Sequence, residues 1–221
     1  MVEPGGSGDI IFRSIQPGME KRLGQSIVID FRTGAGGLIG VREVVRSAGD
    51  GYTLLFGPTN NFVIDQYLYR KLDYDPLVDL VPVTVVAETP YLLVISEATP
   101  ASNYGEFAAW ARANRGKLNF GGSLGTPPQL LGSMFNKVAD LGMTYVPYKG
   151  GAPSIPDLLA GRLQMQFDAL TLLQPLIKEG KLRALAVASD KRWCHRSPRT
   201  PPAGTARARA RSPSAARRDP R

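Results

Sequence analysis

Leu118-Asn119-Phe120-Gly121-Gly122-Ser123-Leu124-Gly125-Thr126-Pro127-Pro128-Gln129 is the stretch that decides the fold. A short apolar run ends in glycines, and a hydroxyl residue followed by two prolines opens a helix. Thr126 with Gln129 three residues on has the form of a capping box. A strand, a glycine loop and a helix N-terminus in that order make the first half of a βαβ unit. The same rhythm continues downstream. Strand Met143 to Val146, helix Ser154 to Ala160, strand Leu163 to Phe167, helix Leu172 to Glu179 and strand Leu182 to Ala188 follow one another. Upstream of the deciding stretch, Tyr91 to Ile95 reads as a buried strand. Asn103 with Glu106 marks a helix start, and Gly116 its end.

The first ninety residues read similarly. Ile11, Ile15, Met19 and Leu23 recur every four residues, a helix stripe stopped at Gly24, with Pro17 expected to weaken it. Ser26 to Phe31 and Thr53 to Phe56 have strand character, Leu38 to Ser47 and Asn61 to Tyr69 helical character, and Val81 to Ala87 is an apolar run. The pattern predicts an α/β fold built of parallel βαβ units, with a helix-covered sheet, in two lobes. The first lobe spans 1–88 and is incomplete; the second spans 89–192. The remainder, 193–221, is an Arg/Ala/Pro tail with no pattern able to pack a core, expected to be disordered.

Charge and rare residues narrow the function. The chain has 221 residues and net charge +8, yet residues 193–221 hold eight arginines and one acid, Asp219. That balance of +7 leaves about +1 for the body, so nucleic acid is not the expected partner. The single cysteine, Cys194, and single histidine, His195, also lie in the tail. The body therefore has no disulfide, no Cys/His zinc site and no histidine-based triad. Gly121-Gly122-Ser123-Leu124-Gly125 matches the G-x-S-x-G nucleophile elbow. Without a histidine base, a Ser-dependent hydrolase is only the runner-up reading. No cofactor or metal is expected, and Gly34-Ala35-Gly36-Gly37 misses the dinucleotide fingerprint because its third glycine would fall at Ile39.

Four glycine- and hydroxyl-rich loops stand at the ends of predicted strands: Pro4-Gly5-Gly6-Ser7-Gly8-Asp9, Gly34 to Gly40, Gly57-Pro58-Thr59-Asn60-Asn61 and Gly121 to Thr126. Open α/β sheets bind ligands at such ends, and helix N-termini there favour anions. That machinery suits a small carboxylate. Asp168, ending its predicted strand, falls on the same rim; its structural alternative is an N-cap of the next helix.

These residues, with Arg32 to Gly37, Asp50-Gly51-Tyr52-Thr53-Leu54-Leu55, Leu72-Asp73-Tyr74-Asp75-Pro76, Gly116 to Phe120, Val146-Pro147-Tyr148-Lys149-Gly150 and Gly180 to Ala186, resemble the extracytoplasmic solute receptors of tripartite tricarboxylate transporters. The resemblance implies a type II periplasmic-binding-protein fold, two lobes closing on a di- or tricarboxylate or acidic amino acid. It implies a periplasmic monomer that delivers its solute to membrane permease subunits without catalysis. By position it implies ligand contacts from Gly5, Gly6, Ser7, Asp9, Thr59 and Asn60 in the first lobe, and Ser123, Thr126 and Asp168 in the second. Gln129 stands near where the family often has histidine, and Pro58 interrupts the loop around Thr59. Against the family pattern the export segment and opening strand are absent, and the sequence diverges after residue 192 in the manner of a reading-frame shift. A first lobe without those pieces is expected to leave the second as the stable unit and to bind weakly.

Overall fold

In the computed structural model residues 3–189 are described; the tail expectations for 193–221 lie outside them. One five-stranded sheet organises the second half. Its strands are β1 (Tyr91–Ser96), β2 (Asn119–Ser123), β3 (Thr144–Tyr148), β4 (Met165–Ala169) and β5 (Leu182–Val187), in the order β3-β2-β4-β1-β5. β2 runs parallel to β3 and β4, whereas β1 runs antiparallel to both β4 and β5. The sheet is thus mixed, which corrects the all-parallel expectation. β1 enters directly from the first half, without the crossover helix that would turn it parallel to its neighbours.

Helices cover both faces. Leu93, Ile95, Phe120, Met165 and Phe167 point to one side and pack with Phe107 of α4 (Tyr104–Ala113) and, at their margin, Leu131 and Phe135 of α5 (Pro127–Val138). Val94 and Leu182 point to the other, against Leu158 of α6 (Ile155–Leu159) and Leu173 of α7 (Leu170–Lys178). The period-2 alternation along β1 follows from this two-sided burial. Gly121 is fixed by packing, since a Cβ there would lie 2.4 Å from buried Leu163 Cδ1.

The start of α4 is the reciprocal cap that its sequence announces. Asn103 Oδ1 accepts the Glu106 N–H at 3.0 Å, and Glu106 Oε2 accepts the Ser102 N–H at 2.7 Å. Asn103→Ala is expected to lower stability by about 1 kcal/mol, read as an earlier urea midpoint at unchanged slope. The box predicted at Thr126 and Gln129 does not form. The Thr126 hydroxyl donates to the Ser123 carbonyl at 2.6 Å, and Gln129 Nε2 donates to Ser133. Pro127 and Pro128 have no N–H, so two of the four donors a cap would satisfy are missing.

In the first half, α1 (Ser7–Leu23) contains Pro17 without ending there, and terminates on Gly24 at φ 66°. α2 (Leu38–Arg46) and α3 (Asp65–Leu68), the latter preceded by a π-turn at Asn60–Ile64, match the predicted helical segments. Ser26 to Phe31 and Thr53 to Phe56 form no strand among the described residues, against expectation. A strand exists only as part of a ladder, and among the described residues neither segment joins the sheet. Val28 is 89% exposed and Val81 in the later apolar run likewise 89%. The small cluster Leu38, Val41 and Tyr74, flanked by Leu55, Tyr69 and Leu72, holds this half together. α1 lies against α7 and so brings the Pro4–Asp9 loop toward the sheet.

Candidate functional site

The parallel strands β2, β3 and β4 end side by side. Ser123 pairs with Tyr148 across β2 and β3, which places Gly150 and Gly151 just beyond the same edge. Gly121 pairs with Gln166, and that register carried two residues further sets Ser123 level with Asp168. The second-half candidates Ser123, Thr126 and Asp168 therefore share one end of the sheet.

Asp168 is a strand residue and not an N-cap. β4 continues through Ala169, because the observed strand lies two residues later than predicted. Its carboxylate accepts the Ala169 N–H at 2.8 Å through Oδ1 and Gln166 Nε2 at 3.0 Å through Oδ2. It is 5% exposed, and burial raises its pKa to about 6 despite both bonds, with the nearby Glu3 carboxylate adding to the rise. Gln166 is itself fully buried and held by the Ser154 hydroxyl at 2.8 Å.

The Pro4–Asp9 loop reaches this edge through a residue that the sequence reading passed over. Glu3 Oε1 accepts the Gly151 N–H at 3.0 Å across 148 positions of chain. Its carboxylate lies so close to two glycines that a Cβ on Gly6 would approach its Cδ to 2.7 Å, and one on Gly150 to 2.5 Å. A Cβ on Gly151 would meet Asp168 Oδ2 at 2.0 Å. Gly6 and Asp168 thus converge around Glu3, Gly150 and Gly151. Gly5, at φ +73°, and Ser7, the first residue of α1, flank Gly6. Asp9 is turned inward: it accepts the Gly5 N–H at 2.8 Å and pairs with Arg13 at 2.6 Å. It shapes the loop, and its Oδ1 has no hydrogen-bond partner among the described residues beyond the Arg13 ion pair.

Thr59 and Asn60 form a second group. Asn60 Nδ2 donates to the Gly36 carbonyl at 3.1 Å, and Asn61 Nδ2 to the same carbonyl at 3.0 Å. Both amides also approach Asp65, whose pKa is raised chiefly by burial. Gly36 in turn abuts the β2–α5 loop: a Cβ there would lie 3.2 Å from the Leu124 carbonyl and 3.3 Å from Tyr69 Oη. Asn60 is fully buried and orients the Gly36 loop, while Thr59 is exposed. The glycine loops thus gather at the C-terminal edge of β2–β3–β4 in two groups, one around Gly151 and one around Gly125.

Glu3, Gly150, Gly151 and Gln166 were not among the predicted contacts. The Gly150–Gly151 pair directly after a strand was the signal available for two of them; nothing local marks Glu3. Ser123 lacks the geometry of a nucleophile elbow. It closes β2 in ordinary strand conformation, and among the described non-glycine residues only Ala35 and Asp140 have positive φ. A cavity of about 500 Å³ opens elsewhere, between Gln66, Tyr69, Arg70, Leu72, Tyr74, Asp75 and Pro76. None of the residues at the sheet edge lines it.

With the glycine loops and Asp168 in place at the edge of such a sheet, the comparison with known proteins is direct. The family model described as the tripartite tricarboxylate transporter family receptor matches residues 11–206. The chain belongs to that receptor family. Among solved structures it is similar to Rpa4515 of R. palustris with adipate, at 36% identity and TM-score 0.80, covering 87% of this chain and 64% of that one. It is similar to MatC from Rhodopseudomonas palustris with bound malate, at 30% identity and TM-score 0.80, covering 86% and 65%. It is also similar to the periplasmic binding protein BugD, at 30% identity and TM-score 0.80, covering 86% and 64%. The receptor-family fold is therefore that of the periplasmic binding proteins, as the sequence implied. The chain spans 55% and 60% of the length of the first two curated relatives it matches.

Proposed function

We propose that the chain is the solute-binding part of a periplasmic uptake receptor that captures a small carboxylate and hands it to the permease subunits of a tripartite tricarboxylate transporter. The observation that carries this reading is the gathering of Gly6, Ser123, Gly151 and Asp168 at the parallel-strand edge, where a backbone N–H already holds a carboxylate. Backbone N–H groups and hydroxyls hold an anion by charge-assisted hydrogen bonds, worth about 1.5–3 kcal/mol each before ordering costs. Millimolar affinity needs only about 4 kcal/mol, two such bonds, and micromolar affinity about 8 kcal/mol. The adipate and malate found in two similar structures agree with a dicarboxylate as the solute class. The reading assigns Ser7, Ser123 and Thr126 as hydroxyl contacts, Gly151 as an N–H donor, Gly5 and Gly6 as the loop lining the slot, Asp9 and Asp168 as acidic groups beside it, and Thr59 and Asn60 as the flank. It divides the chain into lobes 1–88 and 89–192, has it act as a monomer, and assigns it capture without catalysis.

The test is an amide chemical-shift titration of the 221-residue chain with adipate, malate, citrate and aspartate, up to millimolar concentration. Saturable shifts confined to Gly6, Ser7, Ser123 and Gly151 are expected with at least one of these acids. Their diethyl esters should leave the same amides unmoved. Shifts scattered over the surface, or none with any acid, would reject the reading.

A further inference from the structure

We infer that Glu3 is an internal occupant of the carboxylate subsite, and that a solute carboxylate must displace it to bind. This rests on the receptor reading above and names the subsite itself: the slot between Gly6 and Gly150–Gly151. Three observations define the slot. The Gly151 N–H donates to Glu3 Oε1 at 3.0 Å. The two glycines that flank the carboxylate, Gly6 and Gly150, have no side chain, and the Glu3 carboxyl group fills the space that a Cβ on either would take. Gly6 also stands at the N-terminus of the 17-residue helix α1, whose dipole favours negative charge at that point. A slot with these properties is built for a carboxylate, and here a residue 148 positions away supplies it.

The chemistry makes Glu3 a competitor. A solute carboxylate entering the slot would use the same Gly151 donor and lie between the same glycines, so both carboxylates cannot be held at once. Their charges would also repel each other and the buried Asp168 beside them. An intramolecular group competes at an effective concentration set by its tether, commonly millimolar for short flexible segments. When an occupant fills a site in about nine molecules of ten, only a tenth are binding-competent, and apparent affinity falls about tenfold. Glu3 is therefore a specificity determinant: it screens out weak monocarboxylates and admits solutes whose second polar end, at Ser123 and Thr126, offsets its displacement.

The experiment compares the native chain with Glu3→Ala and Glu3→Gln. Adipate should bind Glu3→Ala about tenfold more tightly than the native chain, measured from the Gly6 and Gly151 amide shifts. Acetate, which fills the slot alone, should move the Gly151 amide in Glu3→Ala and leave it still in the native chain. Glu3→Gln keeps an acceptor for the Gly151 N–H without charge and should fall between the two. Equal adipate affinity in all three chains would overturn the role of Glu3 and leave the receptor reading standing. Weaker adipate binding to Glu3→Ala than to the native chain would also overturn it, by making Glu3 a positioning residue. No response to adipate, malate, citrate or acetate in any of the three would remove the receptor reading and this inference with it.

Discussion

Gly151→Ala is expected to unfold at a lower denaturant concentration, by about 1–3 kcal/mol, and to lose carboxylate binding. The backbone is not the reason. Gly151 has φ −74° and ψ −43°, a conformation alanine adopts without strain. The whole effect is steric, because the added methyl would stand 2.0 Å from Asp168 Oδ2 and 2.8 Å from its Cγ. Asp168 cannot swing aside at no cost, since it is buried and holds both the Ala169 N–H and Gln166. Overpacking of this sort typically costs about 1–3 kcal/mol. The control is the double variant Gly151→Ala with Asp168→Ala, in which the clash is gone. Its stability should exceed the value obtained by adding the two single effects, a coupling expected of residues in contact. Additive losses would show that the methyl meets something other than Asp168.

Much of this fold was legible because its signals are local. The glycine loop before Thr126, the cap at Asn103 and the stop at Gly24 each depend on residues within four positions of one another and stand as read, whereas neither half of the Thr126–Gln129 box forms. The all-parallel sheet did not survive, because strand direction is set by where the preceding chain comes from. Periodicity along Tyr91 to Ile95 is the same for either direction, and burial on both faces conceals it further. The segments at 26–31 and 53–56 have the composition of strands, yet composition does not place a segment in a sheet. At the proposed site, Ser123 and Asp168 come together at one end of the sheet, as their places at predicted strand ends imply. Glu3 carries no such signal, because its contact lies 148 residues away and no short motif contains it. Asp9 differs in that its motif is conspicuous, and its carboxylate accepts the Gly5 N–H and pairs with Arg13.

The native chain should become more stable as pH falls from 7 toward 4, and Asp168→Asn should lose that slope. The sign follows from the raised pKa of Asp168, about 6 in the folded chain, against roughly 3.9 for an unperturbed aspartate. The folded state therefore holds this proton more tightly than the unfolded state does. Its favourable contribution is complete below about pH 4 and is lost as pH rises through about 6. At about 1.4 kcal/mol per pH unit the difference is on the order of 3 kcal/mol, or roughly 6–12 °C in melting temperature for a chain of this size. The groups that face Asp168 are the Glu3 carboxylate, the Gln166 amide, the Ala169 N–H and the Tyr91 phenol, whose own pKa is raised by burial and then by Asp168. Asp73 and Asp157 run the other way, their pKa values lowered by bonds from Arg42 and from Tyr148 and Arg162. Their stabilisation is present above about pH 4 and falls away only below it, outside the window that Asp168 occupies. In Asp168→Asn the amide can still accept the Ala169 N–H, but its NH2 would oppose Gln166 Nε2, so absolute stability shifts for a second reason. The slope is therefore the decisive reading. Melting curves at half-unit intervals from pH 4 to 7 should give a falling line for the native chain and a flatter one for the variant, and parallel lines would mean that Asp168 is ionised and solvated throughout.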